Sequence, residues 1–348
     1  MELPEAISGC WNLQTLHVMH CKGFTGLPES IGKLKKLRTL ELLMVTDLKS
    51  LPQSIGDCQD LRILQLYSCY KLIEIPNNIG NIENLRVLDI VNCSCVYRQV
   101  QEFIGKLRNI ERINLSGCHC LRDLPRTFSC RTLRNLNLSR TSITLLPQWV
   151  TLIGTLECIE LEYCMNLVEL PKGIENLRRL EVLNINGCLK LRCIPSGFGQ
   201  LTRLRWLGLF VVGSGGDDAR ISELENLDMI SGWLRIQNLK YIKDPADCKK
   251  ACLKKKKNIR SLTLNWSGCE MEEELASDIE QDLDVLESLE PPSGIGFLQI
   301  IGYQGPYLPC WMRKQRDSLC LEAIMSKQTS PSQFLWLIEN YHWNYCRT

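Results

Sequence analysis

Leu61-Arg62-Ile63-Leu64-Gln65-Leu66-Tyr67-Ser68-Cys69 is the stretch that decides the fold. Leu64 and Leu66 lie two residues apart, the period of a strand with one buried face, so Ile63, Gln65 and Tyr67 point the other way. Leu72 and then Ile75-Pro76 follow. Proline cannot donate to a sheet ladder and its fixed φ suits a turn or the first residue of a short helix, so the strand stops before it. Ile79 brings the return segment back inward.

Counting outward from this stretch, the same pattern recurs along the chain. With Leu61 as the first position of a unit, equivalent positions fall at Leu13, Leu37, Leu85, Ile110, Leu133, Leu156, Leu180 and Leu204, at spacings of 23 to 25 residues. The first, fourth and sixth positions are Leu, Ile or Val in all nine units. The ninth position is cysteine in six of them: Cys21, Cys69, Cys93, Cys118, Cys164 and Cys188. This is the leucine-rich repeat pattern L-x-x-L-x-L-x-x-N/C-x-L. One such unit cannot bury its own leucines, whereas stacked units bury a continuous core. The expected fold is therefore an α/β leucine-rich repeat solenoid, with a curved parallel sheet on the concave face and short helices or turns on the convex face. The ninth-position cysteines, together with Cys10, Cys58 and Cys130 three residues before a unit start, are expected to be buried. The fourth unit has Gln99-Val100 where a Leu-Pro or Ile-Pro pair belongs, and a local irregularity is expected there.

Composition narrows the classes. The 348 residues are 45% hydrophobic, 23% charged and 7% aromatic, which excludes disorder and collagen. A net charge of +2 gives no global attraction for nucleic acid or anionic lipid. No run of ~18 apolar residues predicts a membrane span. The start, Met1-Glu2-Leu3-Pro4-Glu5, shows neither the basic nor the apolar region of a signal peptide. The 19 cysteines are accordingly expected to be reduced, in the cytoplasm. Leu3-Pro4-Glu5-Ala6-Ile7 reads as the tail of a unit, so the chain is expected to start within a repeat, as a fragment.

Three regions follow. Residues 1–212 hold nine regular units plus the tail of a preceding one. Residues 213–312 begin with the loop Gly213-Ser214-Gly215-Gly216-Asp217-Asp218 and resume looser spacing at Leu234-x-Ile236, Leu262-x-Leu264 and Leu298-x-Ile300. Residues 313–348 form a degenerate tail. Within the second region Ala246 to Lys257 reads as a helix with Cys248, Ala251, Cys252 and Leu253 on one face. Lys243 to Arg260 carries eight basic and two acidic residues, and Glu270 to Glu290 ten acidic and none basic. Such runs usually form solvated faces, but these two could pair, or one could meet a partner.

The chain resembles the leucine-rich repeat region of plant intracellular immune receptors, the nucleotide-binding leucine-rich repeat disease resistance proteins. The resemblance rests on the repeated Leu-Pro-x-x-Ile-Gly-x-Leu (Leu27 to Leu34), on Ile221-Ser222-Glu223-Leu224 through Gly232–Leu239 to Leu262-Thr263-Leu264-Asn265-Trp266, and on Ile301–Gly305 with Leu308-Pro309-Cys310-Trp311-Met312. The last two stretches are similar to the grass-type version, and the likeness covers roughly residues 1–325. It implies a module that senses pathogen effectors or guarded host proteins and restrains a nucleotide-binding domain not present in this chain. The other readings are a free-standing intracellular scaffold or adaptor in signalling and an extracellular ectodomain; the irregular second half favours the receptor.

No residue set predicts catalysis, a cofactor or a metal. Gly26 to Gly32-Lys33-Leu34 misses the phosphate-loop spacing and its hydroxyl. Cys93-x-Cys95 with Cys118-x-Cys120 is better read as core packing than as zinc ligation. Asn114-Leu115-Ser116 and Asn137-Leu138-Ser139 match the glycosylation pattern but read as strand residues. The expected functional surface is the concave face, for a protein partner and not nucleic acid. Its candidates are the ladder Arg38, Arg62 and Arg86, the acidic set Glu157, Glu160, Glu162 and Glu181, and the aromatics Tyr67, Tyr163, Trp206 and Phe210, since Tyr, Trp and Arg are the usual interface anchors.

Overall fold

The computed structural model describes residues 2–93, 97–267, 279–314 and 325–326. The repeat pattern becomes a parallel sheet of nine strands in chain order. They are β1 (Thr15–Met19), β2 (Thr39–Leu43), β3 (Ile63–Tyr67), β4 (Val87–Val91), β5 (Arg112–Asn114), β6 (Asn135–Asn137), β7 (Cys158–Glu160), β8 (Val182–Asn184) and β9 (Trp206–Leu207). Register follows the repeat: Leu40 pairs with Leu64, Leu64 with Leu88, Leu136 with Ile159 and Leu183 with Leu207. The stacked leucines form one core, in which Leu37, Leu40, Leu61, Leu64, Leu156 and Leu183 are fully buried.

After each of β1 to β8 the backbone turns through one left-handed residue, the eighth of the unit. His20, Met44, Ser68, Asn92, Gly117, Arg140, Tyr163 and Gly187 all have φ between 52° and 72°. The turn keeps the ladder going: the amide of Met44 donates to the Tyr67 carbonyl at 2.8 Å and that of Tyr163 to the Asn186 carbonyl at 2.7 Å. It also swings the ninth residue inward. The thiols of Cys118, Cys164 and Cys188 donate to the carbonyls of Ile90, Leu138 and Leu161 in the preceding unit, at 3.1, 3.1 and 3.2 Å. A small donor at this position thus satisfies a strand carbonyl that would otherwise be buried without a partner. Burial raises these thiols, Cys118 to about 11 and Cys188 well above its ordinary value.

The return segments are 3-10 turns such as Glu29–Lys33, Gln53–Asp57 and Asn77–Asn81, each begun by the proline. Glycine follows the inward isoleucine because units stack there without space. A Cβ on Gly32 would lie 2.6 Å from the Ser54 carbonyl oxygen, and one on Gly80 2.7 Å from that of Phe103. In the unit without its proline pair the irregularity is an α-helix, α1 (Tyr97–Ile104), with Val100, Phe103 and Ile104 buried.

A second sheet of five parallel strands follows: β10 (Leu209–Val211), β11 (Gly232–Gln237), β12 (Ile259–Asn265), β13 (Phe297–Ile301) and β14 (Met325–Ser326). The two sheets part at Gly208, where a Cβ would lie 2.2 Å from the Asn186 amide. Among the described helices are α2 (Pro245–Lys250), α3 (Ile279–Ser288) and α4 (Cys310–Lys314). The helix expected over Ala246–Lys257 is shorter than its pattern suggested. The left-handed Cys252 (φ 50°) ends it, and a separate 3-10 turn, Leu253–Lys255, follows. Cys252 is consequently half-exposed, while Cys248, Ala251 and Leu253 are buried.

Three further expectations need correction. Phe210 does not face outward; it is fully buried. The break at Gly208 shifts pairing by one residue, so Phe210 pairs with the core residue Ile236, and a one-residue slip exchanges the faces of a strand. Its ring meets Phe198 edge-on at 6.1 Å. Cys10, at the end of the described stack, is exposed, and Cys21 is only half-buried; Cys58 and Cys130 are buried.

Candidate functional site

The sheet face opposite the core is built from the third, fifth and seventh residues of each unit, with the second residues along its rim. The rim is an ion-pair ladder. Arg86 meets Glu111 at 3.7 Å, Arg134 meets Glu157 at 2.5 Å and Arg205 meets Glu181 at 3.4 Å. Glu157 and Glu181, expected in an acidic patch, thus have their charge matched by neighbouring units, and Arg86 is likewise paired. Arg38 and Arg62 are exposed and form no ion pair among the described residues.

Toward the first units the face carries a cluster that sequence reasoning missed. Asp89 is fully buried in it. One carboxylate oxygen accepts from the Tyr67 hydroxyl at 2.7 Å and the Gln65 amide at 2.8 Å, and the other from Arg112 Nε at 3.1 Å. Burial, then the hydrogen bond to this anion, pushes Tyr67 up to about 12. Tyr67 is therefore a strut of the face and only half-exposed. Writing out the fifth-position column (His17, Glu41, Gln65, Asp89) would have revealed the polar stack.

On β7 to β9 the face changes character. Glu160 is half-buried, its carboxyl pushed up by burial and held by the Asn184 amide and the Cys158 thiol, with Glu162 nearby raising it further. Cys158 in turn is raised to about 12, first by burial and then by Glu160. Asn184 and Asn186 lie alongside, joined at 2.7 Å. Tyr163 occupies the left-handed turn position, so its ring sits at the rim: it covers Gly187, where a Cβ would lie 2.5 Å from the ring, and Arg140 stacks 5.0 Å from its centroid. Trp206 is half-buried and meets Trp233 of the second sheet edge-on at 5.7 Å. Gly232 lies beneath it, leaving 2.9 Å between the ring and a would-be Cβ. The face therefore brings together Glu160, Glu162, Tyr163 and Trp206, with Trp233 added and Phe210 removed.

Other motifs have structural explanations. Asn114 and Asn137 accept the amides of Ser116 and Ser139 at 3.0 and 2.9 Å, closing the turns after their strands. Gly32 serves unit stacking. Cys120 is exposed while Cys118 is buried, and Cys95 lies outside the described residues. Among the described residues no group of three or more His, Cys, Asp or Glu could hold a metal, and no helix is long and apolar enough to cross a membrane.

With a 24-residue unit, parallel in-register strands and buried cysteine ladders, the chain belongs to the leucine-rich repeat proteins. Residues 1–163 match the family described as a leucine-rich repeat region, and residues 221–334 the R13L1/DRL21 leucine-rich repeats. The chain is similar to the disease resistance protein RGA2 of Solanum bulbocastanum, 36% identical over 108 residues, covering 30% of this chain and 10% of that protein. It is also similar to the putative disease resistance RPP13-like protein 1 of Arabidopsis thaliana, 34% identical over 102 residues, 28% of this chain and 10% of that one. The matches thus span a tenth of those proteins' length. A leucine-rich repeat protein of Leptospira interrogans shares the fold, with a TM-score of 0.59 at 21% identity over 97% of this chain and 78% of its own.

Proposed function

We propose that this chain is the protein-binding module of a plant disease resistance receptor working in the cytoplasm, and that it acts by binding and not by catalysis. The open face of β7 to β9 receives the partner, a pathogen effector or a guarded host protein, and the module restrains a nucleotide-binding domain carried elsewhere. The observation that carries this reading is the recessed pair Glu160 and Glu162 beside the half-exposed indole of Trp206. The similarity to disease resistance proteins supports it. Glu160 forms no ion pair among the described residues, and burial has already weakened its hydration, so a cationic side chain arriving there offsets a cost that the free protein bears. Trp206 supplies the apolar anchor typical of interface centres. The fitting partner has a basic rim around an apolar residue.

The test is titration of partners captured from plant extract against Trp206→Ala, Glu160→Gln and Lys172→Ala. Trp206→Ala is expected to weaken binding by about 2 kcal/mol, as loss of a central aromatic anchor commonly does. Lys172 is exposed and pairs with Asp217 at 2.8 Å, away from this face, so its loss should be silent. Damage from Lys172→Ala together with a silent Trp206→Ala would refute the assignment.

A further inference from the structure

The segment leading into β12 carries a dense run of exposed cations. Between Cys248 and Arg260 every inward position is occupied by Cys248, Ala251, Leu253, Lys256 or Ile259, all buried. Seven residues of this segment are exposed, and six of them are cations: Lys249, Lys250, Lys254, Lys255, Lys257 and Arg260. Five of the six, all lysines, lie on the path from α2 through the left-handed Cys252 and the 3-10 turn, and Arg260 follows on β12. Lys256, the one lysine turned inward, anchors that turn: its ammonium reaches the Glu225 carbonyl and the Asp228 carboxylate, both at 3.4 Å. Carboxylates answer two of the outward cations, Asp247 for Lys250 at 3.0 Å and Glu290 for Lys254 at 2.9 Å. Lys249, Lys255, Lys257 and Arg260 form no ion pair among the described residues.

We propose that this surface docks on an anionic membrane, its lysines meeting the phosphate and carboxylate of acidic lipid headgroups. The chain's near-neutral total conceals this, because residues 243–260 alone carry eight basic and two acidic residues. Three features favour a lipid surface. The cations are almost all lysines, compact and flexible point charges suited to a diffuse anionic plane, whereas shaped carboxylate or phosphate sites prefer the planar fork of arginine. The outward row has no aromatic side chain on which a nucleobase could stack, as single-stranded nucleic acid binders require. It also has no exposed apolar anchor of the kind that a protein interface centre uses.

The experiment is co-sedimentation of the whole chain with vesicles of phosphatidylcholine alone or containing about 30% phosphatidylserine. Binding is expected only to the anionic vesicles and is expected to fall steeply with added salt. The double variant Lys255→Glu/Lys257→Glu is expected to lower partitioning at least about tenfold, since each lysine near such a surface contributes several-fold. Both sites are exposed, so its melting temperature should match the parent's. Lys22→Glu/Lys33→Glu, with the same charge change in turns between β1 and β2, should bind as the parent does. Equal binding to neutral vesicles, no binding at all, or equal loss in the two double variants would overturn the proposal. So would tighter competition by duplex DNA or an acidic peptide, which would make those the partner. Binding that emerges only after Glu272, Glu273 and Glu274 are changed to Gln would assign the lysines to the chain's own acidic run and would overturn it as well.

Discussion

Arginine in place of Cys164 tests the architecture of the core most directly. Cys164 is fully buried, its thiol donating to the Leu138 carbonyl at 3.1 Å and lying 3.6 Å from the Thr141 hydroxyl. Among the described residues no carboxylate hydrogen-bonds to it. A guanidinium placed there would be an unpaired buried charge, which costs more than ~3 kcal/mol even after relaxation. The lost hydrogen bond adds about 1 kcal/mol. Against a total stability of ~5–15 kcal/mol, that removes a large share. Two partner variants make the result specific. Cys10→Arg changes the same residue type at the exposed end of the stack, and should stay within about 0.5 kcal/mol of the parent. Cys164→Asn retains a donor for the strand carbonyl, as Asn238 does in the second sheet toward the Val212 carbonyl at 3.3 Å, and should be far milder than arginine. The assay is urea unfolding followed by tryptophan fluorescence and far-ultraviolet circular dichroism. A parent-like midpoint for Cys164→Arg, or equal damage from Asn and Arg, would refute the inward, carbonyl-capping placement of the ninth residue.

Three other outcomes are expected. Gly208→Val should destabilise by about 2 kcal/mol or more in the same unfolding assay, because its Cβ meets the Asn186 amide at 2.2 Å where the sheets part; a neutral result would show that the junction has room. Asp89→Ala should lose about 2–3 kcal/mol, since Tyr67, Gln65 and Arg112 all donate to one buried carboxylate; retention of parental stability would mean that the polar stack is dispensable. Glu160 has a carboxyl raised by burial, so the folded state holds its proton more tightly than the unfolded chain does. Its contribution to stability therefore falls as pH rises from the ordinary carboxylate range through the raised one. Glu160→Gln should melt higher than the parent near neutral pH and lose that advantage in acid; a constant difference between the two melting curves would exclude this titration.

The repeat was legible in the sequence because burial selects its residues so uniformly. A position that stacks on identical positions of two neighbours tolerates little but Leu, Ile or Val, and the proline after each unit fixes where the strand ends. The missing Pro pair at Gln99-Val100 was readable for the same reason, although that it would become α1 was not. Phe210 shows where this reasoning stops. Its assignment to the open face assumed that position seven keeps its orientation through the ninth unit. That depends on pairing, and pairing there is decided by Gly208, whose missing side chain lets the Asn186 amide occupy the space a Cβ would need. A glycine in a strand reads equally as a weak spot, a bulge or a close approach, so the slip could not be foreseen.

The open face was less legible because its residues are chosen by one another and not by the repeat. Arg86, Glu157 and Glu181 looked like free charges when each unit was read alone. Read across units, they pair with Glu111, Arg134 and Arg205, and the rim becomes a stabilising ladder with little charge to offer. The same comparison turns Tyr67 from an anchor into a donor to Asp89. What survives this subtraction is small and local: Glu160, which forms no ion pair among the described residues, next to Trp206, which leans on Trp233 across the boundary between the sheets. A binding surface placed at that boundary draws side chains from two sheets with different registers. The residues facing a partner there need not follow the 24-residue period, which lets the face vary without disturbing the leucines behind it.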